Sequence, residues 1–257
     1  MPIVPLLVAV LFSSAQTAER PPVAVQTVRV GAAADLKFAL DEVIALLAQR
    51  QPNLRVQVTY GSSGSMHAQL RQRAPYDVYL SADIDYPRDL VSRGIGSTSD
   101  LFPYAVGRLV VWVPAGSKLV VERDGLRALE GAGRVAIANP RHAPYGRAAE
   151  AALRQAGIWD RVRRRLVLGD NVAQTAQFVQ SGAADAGIIA KSLTVAPQLR
   201  TGGRYWEVPE NMHPPLVQGG LILPWAASRM GAIRLREFLL SEEGRRILIA
   251  YGFGPPR

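Results

Sequence analysis

The chain has 257 residues, enough for one large domain or two small ones, and its 48% hydrophobic and 20% charged content fits a globular rather than a disordered protein. It has no cysteine, which excludes disulfides, thiolate metal sites, iron–sulfur clusters, thiol catalysis and an N-terminal lipidated cysteine, and its three histidines (His67, His142, His213) argue against a multi-histidine metal centre. The formal charge of +9 comes from 30 basic residues, all arginine except Lys37, Lys118 and Lys191, and it suits either an anionic partner or a solvated arginine-rich surface.

Residues 2–12 are apolar and precede Ser13, Ser14 and Ala15, the pattern of a secretory signal cleaved after Ala15. The stretch is shorter than the roughly 20 apolar residues that span a bilayer, and no lysine or arginine precedes it. Residues 1–19 are therefore read as the signal peptide and the start of the mature chain, which is expected to be exported, soluble and periplasmic. Residues 28–33 form a first apolar strand. Leu36, Leu40, Val43, Ile44 and Leu47 then recur on one helical face, and Gln51, Pro52 and Asn53 end that helix. Residues 56–60 alternate as a strand, 61–64 make a turn, 66–71 a helix and 77–81 another strand. Residues 106–113 are apolar and β-branched and read as one long strand ended by Pro114.

Further strands are expected at 134–138, 166–168, 186–190 and 217–223. Helices are expected at 145–156, closed by Gly157, and at 171–180, with Asn171 as N-cap and Gly182 beyond the end. Ser241 caps a last helix, with Glu242 and Glu243 in its first turn where acids suit the dipole. This alternation predicts βαβ units and largely parallel sheet. At this length two lobes are expected, with ligands at strand carboxyl ends facing helix starts.

Several strand-to-helix junctions carry small or neutral residues: Ala32 to Asp35, Gly61 to Ser65, Ala143 to Gly146, and Asp170 to Val172. Each exposes free backbone N–H groups at a helix start, where donors and dipole together favour an anion, and serine hydroxyls and a tyrosine phenol add donors.

The segments Gly31-Ala-Ala-Ala-Asp-Leu, Tyr60-Gly-Ser-Ser-Gly, Ala74-Pro-Tyr-Asp-Val-Tyr-Leu-Ser-Ala-Asp83, Asn139-Pro-Arg-His-Ala-Pro-Tyr-Gly146 and Ser181-Gly-Ala-Ala-Asp-Ala-Gly187 occur in this order. Together they resemble the periplasmic molybdate-binding proteins, the solute receptors of molybdate ABC transporters, over about residues 28–253. The resemblance implies an α/β, two-lobed periplasmic-binding-protein fold of type II. It would have mixed, mostly parallel sheets, helices on both faces and a ligand cleft between the lobes. By that analogy one lobe is 20–104 plus 218–257 and the other is 105–217. Carried over by motif, the ligand-binding residues are Ala34, Asp35, Ser62, Ser63, Tyr145 and Val172, the last through its backbone N–H. The implied ligand is molybdate or tungstate, the partner an inner-membrane ABC permease, and the receptor a monomer without cofactor, free metal ion or catalytic residue.

Molybdate near neutral pH is a tetrahedral dianion, so neutral donors suffice to hold it. Asp35 is the discordant residue, because the family commonly has Ser or Asn there and an ionised carboxylate only accepts. Three readings stand: a helix N-cap bonded to the amides of Lys37 or Phe38, a protonated carboxyl donating to the ligand, or an acceptor for a protonated anion. The alternative ligands are accordingly sulfate or a protonated, phosphate-like anion. A serine hydrolase built on Ser62, Ser63, Ser65 and His67 is disfavoured, because Gly61-Ser-Ser-Gly-Ser is not the Gly-x-Ser-x-Gly elbow. Nucleic acid is not expected as a partner. Arg161 and the run Arg163, Arg164 and Arg165 read as a solvated face, and no nucleic-acid motif accompanies them.

Overall fold

The computed structural model describes residues 25–256. The expected signal peptide, with its cleavage after Ala15, lies outside the described residues. The strands are β1 Gln26–Ala33, β2 Leu54–Gly61, β3 Val78–Ser81, β4 Leu101–Gly107, β5 Leu109–Pro114, β6 Val135–Ala138, β7 Leu166–Gly169, β8 Ala186–Ala190, β9 Gly203–Glu207 and β10 Leu216–Ile222. They form two five-stranded sheets, in the orders β2-β1-β3-β10-β4 and β7-β6-β8-β5-β9. In the first sheet β1 runs parallel to β2 and β3, while β10 runs antiparallel to β3 and β4. The second repeats the scheme, with β6 parallel to β7 and β8 and β5 antiparallel to β8 and β9. Parallel pairing is thus confined to the strands joined by helical crossovers. The strands next to the passages between sheets run back antiparallel.

The helical periodicity read from the sequence produces the first lobe's core. Leu36, Leu40, Val43 and Leu47 are buried against Val28 and Val30 of β1, beneath the helix Lys37–Arg50. Each such leucine contributes about 1.5–3 kcal/mol by burial. A separate apolar cluster fills the second lobe, around β5, β6 and β8. That cluster also takes in Ala33, Ala34 and Ala82 from the first lobe, so the two lobes are closed on each other.

The expected single strand at 106–113 is instead two strands of different sheets, broken at Arg108. The cause is tertiary. Arg108 Nη1 lies 3.3 Å from Glu207 Oε1 and 2.7 Å from Glu210 Oε1, which ties the outgoing passage to the returning one between β9 and β10. The lobe divisions expected at 104/105 and 217/218 fall inside β4 and β10, beside these passages.

The carboxyl ends of β1, β2, β3, β6 and β7 all lead to one place. They are followed by Ala34, Ser62, Ala82, the Asn139-to-Ala143 loop and Asn171, and the space enclosed there is the cleft. Gly146 lets the helix Pro144–Gln155 start close against β6, because any side chain at that position would run into the Ala138 carbonyl.

Candidate functional site

A small cavity of about 10 Å³ lies between the lobes, and Ala34, Asp35, Ser62, Ser63, Tyr145 and Val172 all line it, with Asn171 and Ala82 among their neighbours. It is smaller than the roughly 300–1,000 Å³ of pockets for drug-sized ligands. Its lining contains no lysine, arginine or histidine.

Each donor is set by its own junction. Ser62 ends β2 in an extended conformation and caps the helix Ser63–Leu70, its Oγ accepting from the Ser65 amide at 3.3 Å. The same hydroxyl donates to Ser65 Oγ at 2.8 Å and lies 2.9 Å from His142 Nδ1. Ser62 therefore borders the cavity with its hydroxyl already engaged. Ser63 differs. Its Oγ accepts from the Ala82 amide at 2.9 Å, which pins the oxygen and leaves the hydroxyl hydrogen to be donated. Tyr79 Oη donates to the Ser63 carbonyl at 2.7 Å and fixes the backbone beneath. On the other lobe Asn171 Oδ1 accepts from the amides of Ala173 and Gln174, both at 3.0 Å. This cap serves the second and third amides of the helix Val172–Gln180 and not the first, that of Val172.

Asp35 is not a helix cap, contrary to the first of the three readings. It sits in a 3₁₀ turn, Ala34–Leu36, and neither that turn nor the helix Lys37–Arg50 has a side-chain cap bond. Its carboxylate is instead claimed by groups far away in sequence. Tyr145 Oη donates to Asp35 Oδ2 at 3.0 Å, and Gln218 Nε2 donates to the same oxygen. Asp35 Oδ1 is buried with no partner. Burial pushes the Asp35 carboxyl up to about 6, opposed by its hydrogen bonds from Gln218 and Tyr145 and, more weakly, by the backbone amides of Asp35 and Leu36. Burial likewise raises the Tyr145 phenol well above its ordinary value, with the Asp35 charge adding to the effect.

Two positions that contact the candidate site are not singled out by the sequence. Gln218 lies buried in β10, where it bridges Asp35 and Tyr145. Its only local signal is a polar residue, followed by two glycines, inside an apolar strand. Gly107 ends β4 under the Tyr145 hydroxyl, and any side chain there would collide with it.

Residues 28–254 match the family of bacterial extracellular solute-binding proteins. The chain belongs to that family. Among its relatives, molybdate-binding protein ModA of Rhodobacter capsulatus is 31% identical over 232 residues, 90% of each chain. Molybdate-binding protein ModA of Azotobacter vinelandii is 31% identical over 252 residues, 98% of this chain and 96% of that one. The solved Azotobacter vinelandii periplasmic molybdate-binding protein superposes with a TM-score of 0.83 at 30% identity, covering 90% of this chain and 100% of that one. This solute-binding protein is a receptor and not an enzyme. His67, the base of the hydrolase alternative, has Nε2 2.7 Å from Asp89 Oδ2, with its ring tilted 5.2 Å from that of Tyr86. No helix of the described residues is long and apolar enough to cross a membrane.

Proposed function

We propose that this chain is a periplasmic receptor that captures molybdate, and tungstate with it, and delivers the closed, loaded form to an inner-membrane ABC permease. The observation that carries the reading is the cavity itself: a small space between two lobes, lined by neutral donors and the single carboxyl of Asp35 and by no cation. Ser63 Oγ and the Val172 amide supply the clearest donors, and Ala34 brings a helix-start backbone beside them. Such preorganised dipoles hold a dianion without burying a counter-charge, whose desolvation costs several kcal/mol. Ser62 supports the wall through its cap bond, and Tyr145 reaches the cavity from the opposite lobe. The lobes 20–104 plus 218–257 and 105–217 close about the passages tied by Arg108. The relatives named molybdate-binding proteins support this choice of oxyanion over sulfate or phosphate.

A thermal-shift panel of molybdate, tungstate, sulfate and phosphate tests it. A cleft ligand stabilises the folded chain by mass action, by about 2.7 kcal/mol at one hundred times its Kd. Molybdate and tungstate are expected to raise the melting temperature at the lowest concentrations. A response to sulfate or phosphate alone assigns the site to that anion instead.

A further inference from the structure

Asp35 is almost fully buried, at 1% exposure, in the wall of a cavity suited to an anion. Its surroundings offer no compensating cation. The helix Val172–Gln180, packed on its turn, carries no ionisable side chain. The helix Lys37–Arg50 brings Lys37, which is half exposed and paired with Asp41 at 3.4 Å. The helix Lys191–Thr194 brings Lys191, which is paired with Glu207 at 2.6 Å, while Ser192 Oγ donates to the Asp35 carbonyl at 2.7 Å. β4 brings the Tyr104 phenol, which donates to the Ser81 carbonyl at 3.0 Å. The helix Pro144–Gln155 brings the Tyr145 phenol, and β10 brings the uncharged Gln218.

The two carboxyl oxygens are not equivalent. Oδ2 accepts from both Tyr145 and Gln218, so both of its lone pairs face donors. Oδ1 is buried without any partner. A proton added to Oδ1 leaves both of those donors in place, whereas an O–H on Oδ2 would have to displace the Tyr145 hydroxyl or turn the Gln218 amide, whose Oε1 is also buried without a partner. A hydrogen on Oδ1 turns the residue from an acceptor that repels a dianion into one more donor toward it.

We propose that the receptor binds its oxyanion together with one proton, taken from solvent onto Asp35 Oδ1 and shared there with a ligand oxygen. This rests on the oxyanion-receptor reading above and adds to it a proton-coupled capture step. On closure the carboxylate gains H⁺ and the ligand arrives as the dianion. On reopening to water the carboxyl returns H⁺ to solvent and the dianion leaves. Asp35 acts here as a specificity-determining residue, favouring tetrahedral anions with an oxygen basic enough to share that proton.

Calorimetric titration of the full chain with molybdate, in buffers of differing ionisation enthalpy near neutral pH, measures the proton count directly. Uptake close to one proton per molybdate is expected. The association constant should fall towards about tenfold per pH unit between about pH 6.5 and 8, the slope that a single linked proton demands. Asp35→Asn, with folding verified by its melting temperature, is expected to bind with no uptake and no such slope, and Asp35→Ser gives a second variant for the same comparison. Molybdate binding by the native chain without proton uptake overturns the proposal. So does uptake that survives in the folded variants, since the proton then belongs elsewhere, for instance to His142 beside Ser62. Preferential phosphate binding without uptake places the proton on the ligand and overturns it as well. If molybdate, tungstate, sulfate and phosphate all fail to bind the native chain, the receptor reading itself falls and this inference with it.

Discussion

Ser63 and Asp35 behave oppositely although both border the cavity. The Ser63 oxygen is pinned by the Ala82 amide, so its hydrogen is what remains for a ligand. Ser63→Ala removes that hydrogen and leaves the cavity shape nearly intact. Loss of a charge-assisted donor costs about 1.5–3 kcal/mol, which corresponds to roughly tenfold to 150-fold weaker molybdate binding. Calorimetry on the variant checks this, and an unchanged affinity would remove Ser63 from the site. Asp35 affects stability in a way that depends on pH. Its carboxyl titrates near 6 in the folded chain against 3.8 ordinarily, so the neutral acid is the form that folding favours. Its contribution is fully present below the ordinary value and is lost as pH rises through about 6. A shift of roughly two units is worth about 3 kcal/mol. Without ligand, Asp35→Asn is therefore expected to be more stable than the native chain at pH 8 by an amount of that order, and nearly equal to it at pH 4. Denaturant titration at the two pH values reads the difference. A variant that is equally destabilised at both would show that the burial cost of the charge is not what limits this residue.

At the level of elements, the anion-facing backbone depends on how each helix begins. Asn171→Ala deletes the two bonds to the amides of Ala173 and Gln174. The expected cost is about 1 kcal/mol of stability, together with weaker molybdate binding, since the Val172 amide rides on the same turn. Thermal unfolding and calorimetry should move together. A stability loss without any change in affinity would detach Val172 from the ligand. These helix starts were legible in the sequence because their signals are local. Asn171 before an apolar helical pattern, Gly182 after it with a φ of +75°, and Ser62 after a strand each act within one turn. What could not be read is set by distant partners. The break at Arg108 is made by Glu207 and Glu210, about a hundred residues away, and local β-branched composition predicts one continuous strand there. The Asp35 carboxylate could satisfy the local rule for a helix cap. It is drawn instead to Tyr145 and Gln218, 110 and 183 residues along the chain. Gln218 was invisible for the same reason.

Across the whole molecule, closure of the two lobes is held by contacts outside the cavity as well as in it. Arg147, from the helix Pro144–Gln155, reaches the first lobe, where Nη2 meets Asp83 Oδ2 at 2.5 Å and Nη1 donates to Tyr86 Oη at 2.8 Å. Its guanidinium also lies 5.3 Å from the Tyr86 ring centroid. Nearby, the Gly64 amide donates to the His142 carbonyl at 2.9 Å, and a side chain at Gly64 would strike that backbone. These bonds exist only when the lobes meet, so they bias the closed form whether or not an anion is inside. Arg147 is 40% exposed, and an ion pair of that kind is worth no more than about 1 kcal/mol. That magnitude sets the expectation. Arg147→Ala should shift the open–closed equilibrium by roughly fivefold and weaken ligand binding by up to that factor, because the binding-competent fraction scales the apparent affinity. The +9 net charge drops only to +8 in this variant, so long-range attraction of anions is nearly unchanged and the loss should appear in dissociation rather than association. Small-angle scattering should show a larger radius of gyration for the variant without ligand and the native value once the cleft is saturated. If the unliganded variant scatters like the native chain while its affinity falls, Arg147 acts on the cavity wall through Tyr145, two residues earlier on the same helix, and the clamp is not what holds the lobes together.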